Sequence, residues 1–249
     1  MSSPQLTYYD MGTGVLAFST TRQGGCSTGN YAAFNINMFC GDNPVHIAAN
    51  RQALSQLLGI PEQHLVIPHQ VHGDTIRRID TPPTETIEGV DAVMTNRPQL
   101  CIGVSTADCI PVLLYDTVRQ AICAVHAGWR GTVQRITEKA VAAMHNAYGT
   151  EAKDLHAVIG PGISLDSFEV GDEVYEQFET AGFDMSLIAR REAKWHINLP
   201  LCNQLQLEAA GVTDIHQSGI CTYKQYDQYF SARRLGINSG RIYTAIMLK

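Results

Sequence analysis

No basic tract longer than two adjacent arginines occurs in the 249-residue chain, and its net charge is −6 at pH 7. Binding to a nucleic-acid backbone depends on clustered cations, so nucleic acid is not an expected partner. No apolar stretch approaches the roughly 20 residues that a membrane-spanning helix needs, and no membrane partner is expected. Charged residues make up 17% of the chain against 45% hydrophobic. That is too little charge for a disordered chain and enough apolar material for a sizeable core. The seven cysteines (Cys26, Cys40, Cys101, Cys109, Cys123, Cys202 and Cys221) are scattered, odd in number and without a Cys-x-x-Cys pair. This argues against a disulfide framework and fits a reducing cytoplasm. The opening MSSPQLTYYDMGTG has neither a basic nor a hydrophobic region, so no secretion signal is expected. A Gly-rich phosphate loop, internal repeats, low-complexity runs and long linkers are also lacking.

What is present is a strand-rich pattern. Val15–Thr20 reads as a strand, and Asp42-Asn43-Pro44 as a capped helix start. That helix is predicted to run to Leu58 and stop at Gly59, with Ile47, Leu54, Leu57 and Leu58 on its apolar face. Leu65–Val71 reads as a strand that delivers His72 at its end. Asp91–Thr95, Leu100–Ser105, Pro111–Tyr115 and Ala121–Val125 are nearly continuous apolar runs, as strands buried on both faces would be. A helix is predicted from Thr132 to about Tyr148, two more at Asp172–Ala181 and Leu199–Ala210, and a final strand at Arg241–Leu248. Thr81-Pro82-Pro83-Thr84 reads as a surface loop. The expected fold is α+β, a single domain over 1–249 with a mixed β-sheet core flanked by helices.

Three short segments carry the chemistry. His69-Gln70-Val71-His72-Gly73, Thr106-Ala107-Asp108-Cys109 and Val125-His126-Ala127-Gly128-Trp129-Arg130-Gly131 each follow an apolar strand. They bring His72, Cys109 and His126 as candidate ligands of a zinc site closed by the protein on three sides, the pattern of catalytic rather than structural zinc. Taken singly, each His or Cys is more simply a core or solvated residue. His69 is a rival ligand; three residues apart on a strand means opposite faces, so at most one of His69 and His72 points inward. Gly128–Thr132 at a helix start, with Arg130, suits an anion such as phosphate, though a tight turn explains it equally. Arg51 reads most simply as a solvated helical residue, as does the Arg233-Arg234 pair. Asp91 and Asp108 are the carboxylates nearest the ligands, fit to orient an imidazole, to act as acid or base, or to cap a turn.

These segments make the chain resemble the YfiH-like family, also called laccase-domain, polyphenol-oxidase or peptidoglycan-editing-factor proteins. The resemblance runs nearly end to end. It takes in Ser19-Thr20-Thr21-Arg22, Phe34-Asn35, Asn50-Arg51, Gln70-Val71-His72-Gly73, Thr106-Ala107-Asp108-Cys109, His126-Ala127-Gly128-Trp129-Arg130-Gly131, Phe168-Glu169-Val170-Gly171 and Phe230-Ser231 with Arg233-Arg234. It implies a zinc site of His72, Cys109 and His126, which chooses His72 over His69 and makes the same three residues the catalytic candidates. It implies a fold similar to the catalytic domain of the cytotoxic necrotising factors. It also implies purine-nucleoside chemistry, namely phosphorolysis of adenosine, inosine and methylthioadenosine and deamination of adenosine. Arg51, Asn35, Gln70 and Arg130 then become the substrate-binding candidates, with a small molecule as the partner. Leu235 and Ser167 depart from the acidic residue and the cysteine that many members carry there.

Other readings compete. The editing-factor name implies an amidase acting on UDP-muramoyl precursors. The laccase name implies copper, but multicopper oxidases use His-x-His pairs and the nine histidines here contain none. A metal-free thiol hydrolase built on Cys109 and His126 is a further reading. A structural site in a binding module would need a fourth protein ligand, with His69 the first candidate. Nothing in the residues sets the oligomeric state.

Overall fold

A computed structural model describes residues 3–249. Its strands, numbered in chain order, form two large mixed sheets and one small antiparallel sheet. The first large sheet has the order β1 (Leu6–Tyr9), β2 (Val15–Thr20), β14 (Ile242–Leu248), β6 (Cys101–Thr106), β3 (Leu65–Val66). The second has the order β13 (Asp214–Gln217), β9 (Leu155–Ile159), β7 (Ile110–Asp116), β8 (Ala121–Ala127), β5 (Ala92–Thr95), β4 (Ile76–Arg78). The small sheet is β10 (Glu169–Val170), β12 (Trp195–Ile197), β11 (Ala189–Arg191). Helices α1 (Pro44–Leu58), α2 (Trp129–Val133), α3 (Ile136–Tyr148), α4 (Asp172–Thr180), α5 (Met185–Ile188), α6 (Leu199–Ala209) and α7 (Ala232–Leu235) complete it.

The large sheets pack face to face, and helices cover their outer faces. Val15, Ala17, Ile102, Val104, Leu113, Ile122, Ala124 and Ile246 form the apolar layer between them. Cys123, Val125, Val112 and Leu114 alternate to the opposite side of the second sheet and pack on Ala140, Met144 and Leu207 of α3 and α6. On the far side of the first sheet Phe18, Tyr243 and Ala245 pack with Leu54 of α1. Burial on both faces explains why the central strands read as continuous apolar runs and not as alternating ones.

The predicted α1 forms as expected: the Asn43 side chain accepts from the Val45 N–H at 2.9 Å, and Gly59 closes the helix with a left-handed φ of 69°. Its apolar face is narrower than predicted, because Leu57 is exposed while Ile47 and Leu54 are buried. Two predicted elements are broken. The strand expected over 65–71 ends at Val66, since Pro68 has no N–H to donate to a ladder. The helix expected from Thr132 divides at Arg135, which has a φ of 62°. Its guanidinium lies 3.7 Å from the Phe183 ring centroid and donates to the Ala181 carbonyl at 2.9 Å, drawing this residue out of the helical path. No helix among the described residues is long and apolar enough to cross a membrane.

Candidate metal centre

The site lies at one end of the two-sheet sandwich, where β6 ends, β7 begins, β8 ends and β5 begins. Strand parity aims its groups. Ile122 and Ala124 of β8 face the inter-sheet core, so His126, two residues on, continues that side at the strand's rim. Cys109 occupies the turn that carries the chain from β6 in one sheet to β7 in the other. The turn is held by Asp108, whose φ is 90°. Its carboxylate accepts from the Thr222 hydroxyl and from the Arg233 N–H, each at 2.7 Å. His72 sits in the loop after β3 with a φ of 61°.

The structure brings His72, Cys109 and His126 together, with their ligand atoms all within 4.8 Å of one another. His69 is not part of this group. It stacks on Phe39 at 4.4 Å between ring centroids, and its Nδ1 pairs with Glu88 at 2.5 Å.

Asp91 supports two of the three candidate ligands. Its Oδ1 accepts from His126 Nδ1 at 2.8 Å and from the His72 N–H at 2.9 Å. Its Oδ2 accepts from the Gly73 N–H at 2.8 Å and the Val71 N–H at 3.2 Å. The proton on His126 is thereby fixed at Nδ1, which leaves Nε2 free to ligate a metal. Burial alone would raise the Asp91 pKa, but the hydrogen bond and charge of His126 and the loop N–H groups outweigh it and hold the carboxyl below its ordinary range.

The same balance acts on Cys109. Burial pushes the thiol up, while the charge of His126 and hydrogen bonds from His126 and His72 bring it down to about 6. Gly128 leaves the space: a Cβ there would lie 3.0 Å from His72 Cδ2 and 3.1 Å from Cys109 Sγ. Two imidazoles, one with its tautomer fixed by Asp91, and a thiolate, converging beside a residue with no side chain, fit a zinc ion.

A prediction follows for the metal-stripped protein. Burial pushes the thiols of Cys101, Cys123 and Cys202 up, and Cys40 is raised for the same reason. Iodoacetamide at pH 7 is therefore expected to label Cys109 well ahead of these four, with labelling lost as pH falls through about 6. Peptide mapping with and without added zinc checks both the order and the protection by metal.

The three groups open into a cleft of about 450 Å³ lined also by Phe39, Cys40, His69, Gln70, Asn238 and Arg241. Gln70 reaches it with its amide already committed. Its Nε2 donates to the Ser105 carbonyl at 2.9 Å and its Oε1 accepts from the Ser105 N–H at 2.7 Å, stitching the His72 loop to β6. Asn35 is fully buried behind the wall, where it donates to Asp42 at 2.9 Å and accepts from the Arg241 N–H at 3.1 Å. Arg51 lines a neighbouring depression beyond Phe39 and pairs with Glu62 at 3.0 Å. Arg130 is exposed and folds over Trp129, 4.4 Å from the ring centroid. Its helix is only five residues long, too short to build the helix-end anion site expected of it.

The cation that does line the cleft is Arg241, which sequence reasoning missed. Its guanidinium donates to the carbonyls of Ser239, Gly240 and Ile237. Among the described residues no carboxylate lines the cleft. Its place at the head of the expected last strand, Arg241–Leu248, carried no signal of this role.

Comparison with known proteins places these features. A family model described as multi-copper polyphenol oxidoreductase laccase matches residues 16–249. A purine nucleoside phosphorylase of Bacteroides thetaiotaomicron is 46% identical over 244 residues, covering 93% of this chain and 90% of that one. An adenosine deaminase, RL5, from an unknown prokaryotic organism is 40% identical, with 95% of each chain covered. Among solved structures, the hypothetical protein YfiH of Bacillus licheniformis superposes with a TM-score of 0.94 at 27% identity, covering 99% of this chain and 97% of that one.

Proposed function

The chain belongs to the multi-copper polyphenol oxidoreductase laccase family, the YfiH-like proteins, and on that premise we propose that it is a zinc-dependent purine nucleoside enzyme. It cleaves adenosine, inosine and methylthioadenosine with phosphate and deaminates adenosine. The observation that carries this reading is the meeting of His72, Cys109 and His126 at the floor of a cleft large enough for a nucleoside. Relatives of similar length named for both activities support it.

His72, Cys109 and His126 would hold the ion, and zinc bound there would supply Lewis acidity at the cleft floor. The chain's own residues do the rest. Asp91 keeps the His126 ring oriented and the His72 loop closed. Arg241, held by three carbonyls in a cleft lined by no carboxylate among the described residues, is the group suited to receive phosphate. The donor set favours zinc over copper. Blue-copper sites of the His₂Cys type add a weak axial ligand, usually Met, and among the described residues no methionine lines the cleft. Metal analysis of the purified protein is expected to find zinc and no copper.

The deciding assay is adenosine with and without phosphate. Inosine is expected in either case, and adenine with ribose 1-phosphate only when phosphate is present. No product under both conditions refutes the reading. Arg241→Gln is expected to raise the KM for phosphate roughly 10–100-fold, the loss of one charge-assisted hydrogen bond. Deamination, which uses no phosphate, stays within about twofold; equal loss in both reactions would make Arg241 structural.

A further inference from the structure

A glycosidic bond that breaks toward phosphate leaves its electron pair on the purine, and that base needs a proton. The two carboxylates near the metal ligands are not available to give one. Asp91 accepts four hydrogen bonds behind the cleft. Asp108 is held by Thr222 and the Arg233 N–H.

The ionisable side chains that line the cleft are Cys40, His69, His72, Cys109, His126 and Arg241. Three of these are the metal donors. Arg241 spends its N–H groups on three carbonyls, and the Cys40 thiol is committed to the Asn37 carbonyl at 3.3 Å, with burial making it a still weaker acid, which leaves His69.

His69 is held as a proton-transfer group is. Its backbone is fixed against the Glu88 segment: the His69 N–H donates to the Ile87 carbonyl at 2.8 Å, and the Gly89 N–H donates to the His69 carbonyl at 3.0 Å. Its ring lies on Phe39, 20° from parallel. Glu88 Oε2 takes Nδ1 at 2.5 Å, while Nε2 has no hydrogen-bond partner among the described residues. A carboxylate on one ring nitrogen fixes the imidazole and leaves the other to exchange the proton. Its side chain is 41% exposed, so solvent can restore the proton after each turnover.

We propose that His69, oriented by Glu88 and Phe39, is the general acid that protonates the departing purine. This rests on the nucleoside reading above. As a phosphate oxygen bonds to the ribose C1′, the C1′–N9 bond breaks, its electron pair passes to the base, and the proton on His69 Nε2 goes to the purine ring. Water then reprotonates the imidazole.

The test compares inosine with 7-methylinosine, whose base leaves without needing a proton. His69→Asn is expected to lower kcat on inosine by about 10²–10⁴-fold. The same variant keeps kcat on 7-methylinosine within about threefold of the wild type and keeps its zinc. Glu88→Gln, which leaves the imidazole in place, is expected to lose about tenfold on inosine alone. Equal loss on both substrates would make His69 structural, loss of zinc would make it a ligand, and an unimpaired variant would leave it idle; each overturns the proposal. Absence of turnover by the wild type on either substrate would instead overturn the nucleoside reading itself, and this inference with it.

Discussion

Asp91→Ala is expected to strip the metal and to lower thermal stability by roughly 10 °C in one step. The carboxylate is fully buried and accepts from His126 Nδ1 and from three consecutive N–H groups of the His72 loop. Alanine leaves four donors without their acceptor, the buried His126 Nδ1 among them. Breaking a buried charged pair costs about 3–5 kcal/mol, and in a chain of this size each kcal/mol moves the midpoint by about 2–4 °C. Loss of a carboxylate that orients a ligating imidazole lowers metal affinity about 10–100-fold. The effect is larger here because the same group also shapes the His72 loop.

The stabilisation also has a defined pH range. The folded Asp91 carboxyl is held below its ordinary value of 3.8, so its contribution is present above that value and lost only as pH falls through the lower folded one. Thermal unfolding with and without chelator, beside a competitive zinc titration, measures both losses. An unchanged midpoint with unchanged zinc affinity would show that the loop and the ring are held by something else.

The part of this site that sequence reveals is the part built from local segments. His72, Cys109 and His126 each sit within a few residues of an apolar strand that limits where they can point, and their chemistry is visible in the residue types. The choice of His72 over His69 came from the family resemblance, and the structure brings His72 to the cluster, but nothing in the segment's own pattern made it. It turns on Pro68 ending the strand early and on Glu88, nineteen residues away, capturing His69. Arg241 was invisible for a related reason. It reaches the cleft because β14 pairs with β6, Ile242 opposite Thr106, a contact across more than half the chain.

In the fold, the buried strands β2, β5, β6, β7, β8 and β14 were legible as apolar runs. The short strands of the small sheet, such as Glu169–Val170, carry no pattern apart from the partners they pair with. The break at Arg135 has the same origin, since Phe183 and the Ala181 carbonyl draw that residue out of the helix and neither is near in sequence.

Cys109→Ala is expected to abolish zinc binding and to lower turnover by roughly 10³-fold or more, the several kcal/mol that a Lewis acid contributes. Unlike Asp91→Ala, it should leave the metal-free fold close to wild type. The sulfur lies at the rim of the core, and its removal leaves the Asp91 bonds to His126 and the His72 loop intact. The two variants therefore separate what orders the site from what the site holds. In the metal-free protein Cys109 is brought down to about 6 and His126 is pushed up to about 9, where the Cys109 charge and the Asp91 hydrogen bond overcome the opposing effect of burial. Between those values the two form a thiolate–imidazolium pair, and metal must displace the proton on His126 Nε2. Zinc affinity is accordingly expected to rise about tenfold per pH unit across that interval and to flatten above it. Folded thiolate–imidazolium and unfolded thiol–imidazole each carry one proton between about 6.5 and 9, so the metal-free stability of the wild type is expected to be flat there while its zinc affinity is not. A variant that kept one zinc per chain with a full pH slope would place the metal elsewhere. One that lost zinc yet turned over nucleoside at the wild-type rate would show that the ion at this site only supports the structure.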